Sequence, residues 1–369
     1  MIALRAVTDF TSSLYLGLRH DSAVLAPWTQ LTTGVPAALA AAPSSGLVAA
    51  GLAGLIGLPA ATLAPSTLHA FWDLFAVLGA RPVFVDAGTY PIARWGAERA
   101  RCAGAAVRTF RHHDPAALGR AVTAEAGCGP VVLTDGLCPG CGEVAPVGDY
   151  LETVGARGGT VVIDDTQALG ILGIPAPGHP FGTGGGGTVR WAGLGGGRVL
   201  VVASLAKGFG VPVAVVAGGQ AAVRRYEARA ETRVHCSPPS NAHLSAAVHA
   251  LRGNQAQGDE LRRHLAAVVA RFRGRLGALG IPVMAGLFPV QAVRPRSGPD
   301  LRDVHQRLGR LGVRAVLHYP RCEPGLVLSF IFTAAHRRAD ADRAARALGI
   351  ALGGWPRIRD EARGLAVTG

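Results

Sequence analysis

Between about residues 45 and 220, short apolar runs rich in β-branched residues alternate with alanine-rich stretches, a texture that few folds accommodate. The runs at 82–85, 106–110, 131–134, 160–163, 198–204 and 213–217 are nearly continuous in apolar character, as strands covered on both faces are. Stretches at 94–103, 114–126 and 147–156 fall between them and read as helices. Such alternation predicts an α/β fold, a mainly parallel sheet wrapped by helices. Ligands of these sheets bind just outside the carboxyl ends of the strands, so the residues that follow each strand are where chemistry is to be sought.

After about residue 245 the texture changes. Helical stretches at 243–252 and 257–278 precede short strands near 290–293, 315–319 and 326–332, then a helix near 339–348. The predicted organisation is an N-terminal segment over 1–45, a large domain over 46–245 and a smaller α+β domain over 246–369. The arginines of the 257–278 helix (Arg262, Arg263, Arg271, Arg273, Arg275) read as a solvated face. The apolar stretch 46–64 is broken by Gly51, Gly54, Gly57 and Pro59, so it reads as a packed helix and a turn, with no membrane span. Glycine runs at 184–187 and 195–197 lack the context of a phosphate loop and read as flexible loop.

Composition matters here for one residue. Of 37 Lys+Arg, Lys207 is the only lysine, leaving 36 arginines. Arginine replaces lysine at little cost on a solvated surface. It fails where an amine must lose its proton and attack a carbon, because guanidinium stays protonated. The single lysine is therefore a candidate nucleophile. The formal charge of +13 suits an acidic partner such as coenzyme A or a phosphopantetheine carrier. Nucleic-acid binding lacks a recognition motif or interleaved aromatics. Six cysteines in 369 residues suggest a reducing compartment, and the amino terminus shows no basic start with an apolar run, so the cytoplasm is expected. Cys138-Pro139-Gly140-Cys141 has metal-ligand or redox spacing, but the chain has no second such pair and no thioredoxin-like context around it. It reads as plain loop, and no metal site is expected.

Lys207 stands in Ser204-Leu205-Ala206-Lys207-Gly208-Phe209-Gly210, directly after an apolar strand. About forty residues earlier, another strand ends in Asp164-Asp165-Thr166-Gln167-Ala168-Leu169-Gly170. Pyridoxal phosphate needs a lysine for its aldehyde and a carboxylate to keep its ring nitrogen protonated, and this pair of motifs offers both.

On these residues the chain resembles the fold-type I pyridoxal-phosphate enzymes, and among them the α-oxoamine synthase family, which includes 8-amino-7-oxononanoate synthase and serine palmitoyltransferase. Further motifs fall in the same order: Tyr15-Leu16-Gly17-Leu18, Phe110-Arg111-His112-His113-Asp114, Gly142-Glu143-Val144-Ala145-Pro146 and Thr333-Ala334-Ala335-His336. The resemblance implies a seven-stranded, mainly parallel sheet in a large domain, a smaller C-terminal domain, and a homodimer. It implies Lys207 as the Schiff-base lysine and proton shuttle, Asp164 at the pyridinium nitrogen, and Ser204 at the phosphate. Ser66-Thr67-Leu68 falls on the family's phosphate cup, and His235 or Ser237 falls where the family reaches a neighbouring subunit's phosphate.

Departures cluster around the ring and the substrate. Tyr90 takes the place of the family's stacking histidine, keeping a π-face but losing the imidazole's acid-base role. Gln167 replaces a histidine and could hydrogen-bond the cofactor's phenolic oxygen. Cys138 to Cys141 replace a Tyr-Ser-Met-Asp stretch. His318 stands at the place of the substrate-carboxylate arginine, with Arg321 three residues on. The resemblance implies decarboxylative condensation of an amino acid with an acyl thioester, carried by coenzyme A or a carrier protein. Gln167 and Tyr90 keep transamination open, and a catalytically retired scaffold is the third reading.

Overall fold

The computed structural model describes residues 7–125, 127, 129–283, 286–294 and 300–353. At its centre is a seven-stranded sheet. Its strands are β1 (Ala60–Ala64), β2 (Val83–Asp86), β3 (Val107–Phe110), β4 (Val131–Asp135), β5 (Thr160–Asp164), β6 (Val199–Ser204) and β7 (Ala214–Gly218). They lie in the spatial order β3-β2-β4-β5-β6-β7-β1. Strands β3, β2, β4, β5 and β6 pair in parallel, while β7 runs antiparallel to both of its neighbours. Every residue of β2, β4 and β7 is buried, which is why these strands read as unbroken apolar runs.

Six of the seven strands match sequence expectations to within a residue or two. The seventh, β1, emerges from the stretch expected to be helix and turn. Helix α1 (Ser45–Ile56) ends at Gly57, whose φ of +87° closes it, and Ala60–Ala64 then joins the sheet edge. Alanine-rich sequence gives no strand signal of its own; pairing with β7 supplies it. Helices α2 (Thr67–Leu78), α3 (Pro91–Cys102), α4 (Pro115–Thr123) and α5 (Val147–Gly155) fill the crossovers between strands. The expected pair of helices after residue 243 is one continuous helix, α6 (Asn241–Ala278). Beyond it, β8 (Val290–Val293), β9 (Val316–His318) and β10 (Val327–Ile331) form an antiparallel sheet in the order β8-β10-β9. Helices α7 (Leu301–Arg310) and α8 (Arg338–Ala351) pack with this sheet and α6, and one buried apolar cluster runs from Val201 under the main sheet to Phe330 in the smaller one. Among the described residues no helix is long and apolar enough to cross a membrane.

One expectation about α6 fails. Arg271 and Arg275 do lie outside, pairing with Asp342, but Arg262 is only 2% exposed. Its guanidinium donates to the Gly170 carbonyl at 2.9 Å, to Asn254 Oδ1 at 2.8 Å and to Asp259 Oδ1 at 2.6 Å. An arginine count cannot show which member of a helix faces inward; the buried acceptors decide it. Arg262 thus ties α6 to the turn that follows β5. Replacing it (Arg262→Met) leaves the Gly170 carbonyl and Asn254 amide without their donor, and should cost about 2–4 kcal/mol in urea unfolding. A change within about 0.5 kcal/mol, the range of an ordinary surface substitution, would contradict this assignment.

Candidate active site

Strand register brings the candidate residues to one edge of the sheet. Asp135 and Asp164 are register partners at the ends of β4 and β5, and Asp164 is level with Val202 of β6. Ser204 ends β6, and the chain turns through Leu205 and Ala206 to Lys207. This turn is held by contacts that only glycine permits. A Cβ at Gly208 would strike the Leu169 carbonyl and lie 3.1 Å from the Gly170 Cα, while Gly170 itself has a φ of +88°. Strand β5's outgoing loop and the lysine loop are therefore pressed backbone to backbone.

Lys207 is largely buried. Burial pushes its ammonium below the ordinary lysine range, while the charges of Asp164 and Asp135 act the other way. Asp164 and Asp135 are themselves 6% and 8% exposed, and burial raises both carboxyls. Asp135 is raised furthest, because repulsion from Asp164 adds to its burial while only the Tyr90 N–H, at 3.0 Å, and the Lys207 charge relieve it. Asp164 accepts from the Thr166 N–H at 3.1 Å and lies under the attraction of Lys207, so it is the member of the pair that ionises first. Two buried carboxyl groups thus face one amine, and Asp135 belongs to the site although sequence reading passed it over. The signal was there: an acid closing a strand apolar but for one threonine, as Asp164 does.

Tyr90, half-exposed at the N-cap of α3, places its ring 6.0 Å from Lys207 Nζ. Gln167 Oε1 accepts a 2.5 Å hydrogen bond from the Tyr15 hydroxyl, and the Tyr15 N–H donates to the Lys207 carbonyl at 3.2 Å. Tyr15 is 1% exposed, and burial raises its phenol, so it stays a donor. This fixes the Gln167 amide with its NH2 free to donate elsewhere. Thr166 joins the two loops by accepting from the Ser204 N–H at 3.0 Å.

Ser66 caps α2, its hydroxyl accepting from the His69 N–H and meeting His69 Nδ1 at 2.8 Å. Ala64 and Ser204 both pair with Ala214 in the intervening β7, so Ser66 and Ser204 stand on the same sheet edge. The leading N–H groups of α2, at Thr67 and Leu68, precede the helix's own hydrogen-bond ladder and are suited to an anion. Leu68 is exposed, as a backbone contributor at a helix start can be.

Other candidates are not brought to Lys207 within one chain. His235 and Ser237 are exposed, at and after the end of the short helix Glu231–His235, which is moored to α2 by Thr232 donating to Asp73. His318, half-buried in β9, is engaged with the Ser329 hydroxyl at 2.9 Å, and burial lowers its imidazole. Arg321 is exposed and close enough to Arg94 for its charge to depress that guanidinium further, beyond the effect of burial. Arg94 is anchored next to Tyr90 by donating to the carbonyls of Thr89, Asp86 and Ala87. Arg94 and Arg321 form a cationic pair that the sequence alone did not reveal.

Asp165 serves the scaffold. It is wholly buried and accepts from the Thr188 N–H at 3.0 Å and hydroxyl at 2.5 Å. Gly187, at φ +84°, leaves room for it; a Cβ there would strike Asp165 Oδ2. The glycine run at 184–187 is thus a fitted turn and not plain flexible loop. Burial raises the Asp165 carboxyl to about 6. A carboxyl whose folded pKa exceeds its unfolded value stabilises most below the unfolded pKa, and loses that contribution as pH rises through the folded one. Relative to Asp165→Asn, the wild type should therefore lose up to about 3 kcal/mol between about pH 4 and pH 7.5 in denaturant titrations. Parallel pH profiles would count against it.

The family model for aminotransferase class I and II matches residues 64–348. An 8-amino-7-oxononanoate synthase of Halorhodospira halophila is 33% identical over 257 residues, covering 68% of this chain and 61% of the relative. That of Alkalilimnicola ehrlichii is 30% identical over 258 residues, covering 69% and 63%. The matched region thus spans a little over six-tenths of these relatives. A serine palmitoyltransferase from S. paucimobilis, solved with PLP bound as its myriocin adduct, shares the fold with a TM-score of 0.80 and 18% identity, over 93% of this chain and 88% of that one. The 8-amino-7-oxononanoate synthase of Francisella tularensis does so with a TM-score of 0.72 and 17% identity, over 93% and 96%.

Proposed function

The chain belongs to the aminotransferase class I and II family, and from that premise we propose that it is a pyridoxal-phosphate enzyme that condenses an amino acid with an acyl thioester, with loss of CO2. One observation carries the reading: a buried amine faces two buried carboxyl groups at the carboxyl edge of the sheet, a set one charge short of balance were both acids ionised. Leaving such a carboxylate unpaired costs several kcal/mol. A cationic heterocycle relieves the imbalance, and a protonated pyridine ring is one. The residues present fit the cofactor in three further respects: an N-capped helix start at Ser66 for its phosphate, a free Gln167 NH2 for its phenolic oxygen, and the Tyr90 face beside the lysine.

When bound, the cofactor supplies an electron sink for negative charge at the α-carbon of the amino acid. The protein's own residues do the rest. Burial raises the Asp164 carboxyl, while the Thr166 hydrogen bonds and the Lys207 charge act the other way, so of the two acids it is the one suited to carry the charge that would face the cofactor's ring nitrogen. Asp135 keeps its proton longer and avoids a second negative charge. Burial leaves more of Lys207 as free amine than solvent would, which suits it to take and return the proton at the substrate α-carbon. Arg321, with Arg94 behind it, offers a cation for the substrate carboxylate in place of His318, which is occupied with Ser329. The exposed His235 and Ser237 suit a role across a homodimer interface, and the basic surface suits an acyl carrier of either kind.

The relatives named above support condensation over transamination. Incubation of the holoenzyme with a panel of amino acids and acyl thioesters, followed by mass spectrometry, should give an α-amino ketone with release of CO2. A keto acid with the pyridoxamine form of the cofactor would mean transamination instead. Asp164→Asn should lower turnover by roughly 10²–10³-fold while the protein stays folded, the cost of removing one preorganised electrostatic partner. An unchanged rate would refute the role given to Asp164.

A further inference from the structure

Cys138 and Cys141 follow β4 as a tight hairpin, closed by the Gly142 N–H donating to the Cys138 carbonyl at 2.8 Å and the Cys138 N–H donating to the Glu143 carbonyl at 3.0 Å. By sequence the pair reads as loop, since the chain has no second Cys-x-x-Cys. The fold brings the missing partners from far away. Cys322 arrives from the loop between β9 and β10, and the sulfurs of Cys138, Cys141 and Cys322 all lie within 4.8 Å of one another. His112, just after β3, points Nε2 at Cys141 Sγ from 3.7 Å and also faces Cys138.

We propose that Cys138, Cys141, Cys322 and His112 bind one zinc ion in a closed tetrahedral site. Zinc–sulfur and zinc–nitrogen bond lengths of about 2.3 and 2.0–2.1 Å make an S···N tetrahedral edge of about 3.6 Å, and His112 Nε2 and Cys141 Sγ stand 3.7 Å apart. The imidazole is presented as a zinc ligand requires: its Nδ1 sits 2.6 Å from Asp86 Oδ1, and that carboxylate is fixed in turn by the Gly88 N–H, the His113 N–H and the Tyr150 hydroxyl. Such a carboxylate–histidine pair sets the tautomer that leaves Nε2 to the metal. On binding, the three thiols release their protons to solvent.

Two further observations point the same way. A Cβ at Gly140 would lie 2.5 Å from Cys322 Sγ, so the hairpin is shaped to admit that sulfur. Beside the cluster, the His113 side chain is 9% exposed, stacks on His112 with ring centroids 3.7 Å apart, and has a buried Nε2 without a hydrogen-bond partner among the described residues. Four protein ligands leave no open position, so the ion is structural. It clamps the loop that carries Arg321 onto the ends of β3 and β4.

The test is metal analysis of the full-length holoprotein, purified under reducing conditions without chelator. One zinc per chain is expected. Cys322→Ser should hold less than about a tenth of that while keeping bound pyridoxal phosphate, and Cys102→Ser, at an exposed thiol outside the cluster, should keep its zinc in full. Should Cys322→Ser fail to fold, Co2+ added to reduced, metal-free wild type should develop the visible bands and thiolate charge transfer of a tetrahedral site, saturating at one equivalent. A protein that contains no zinc and shows no such Co2+ spectrum overturns the proposal, as does a Cys138–Cys141 disulfide in the reduced preparation.

Discussion

The architecture of this molecule turns on a charge problem. Two carboxyl groups and one amine are taken out of water together where β4, β5 and β6 end, and three such groups cannot all be ionised and balanced by one another. In the isolated chain, burial and the neighbouring Asp164 raise the Asp135 carboxyl, and burial weakens the Lys207 ammonium. A cofactor with a cationic ring resolves it better, which is the physical sense in which this site asks for one.

Everything near the site serves to hold those groups at fixed distance. The parallel pairing of β4 with β5 sets the two acids side by side, and the β5–β6 pairing sets the lysine loop next to them. The Gly170–Gly208 contact, the Tyr15 bonds to Gln167 and to the Lys207 backbone, and the Thr166–Ser204 bond then fasten two adjacent loops into one unit. Arg262 reaches from α6 to the same turn, and Asp165 pins it to Thr188. The N-terminal segment takes part as well: the Ala334 N–H donates to the Tyr15 carbonyl, so residues far apart in the chain meet behind Lys207.

Much of this was legible in the sequence, for identifiable reasons. Buried parallel strands leave continuous apolar runs, so six strands of the main sheet could be placed. The single lysine marked Lys207 as a candidate amine, and Asp164 and Ser204 stood out from their places after strands. What escaped reading depends on tertiary approach. Strand β1 is alanine-rich and becomes a strand only by pairing with β7. Asp135 gains meaning only from lying across from Asp164. Arg262 looked like its surface neighbours until buried acceptors were found around it. The cysteine hairpin looked incomplete because its partners, His112 and Cys322, come from before and long after it. Local patterns show elements; only the fold shows which side chains share a site.

The central claim is that Lys207 is the amine that holds the cofactor's aldehyde. Borohydride reduction of the protein reconstituted with pyridoxal phosphate, followed by proteolysis and peptide mass spectrometry, tests it most directly. The account predicts a pyridoxyl group on the peptide containing Lys207 and on no other, at close to one per chain. Recovery of that peptide unmodified, or attachment at the chain's amino terminus instead, would contradict it.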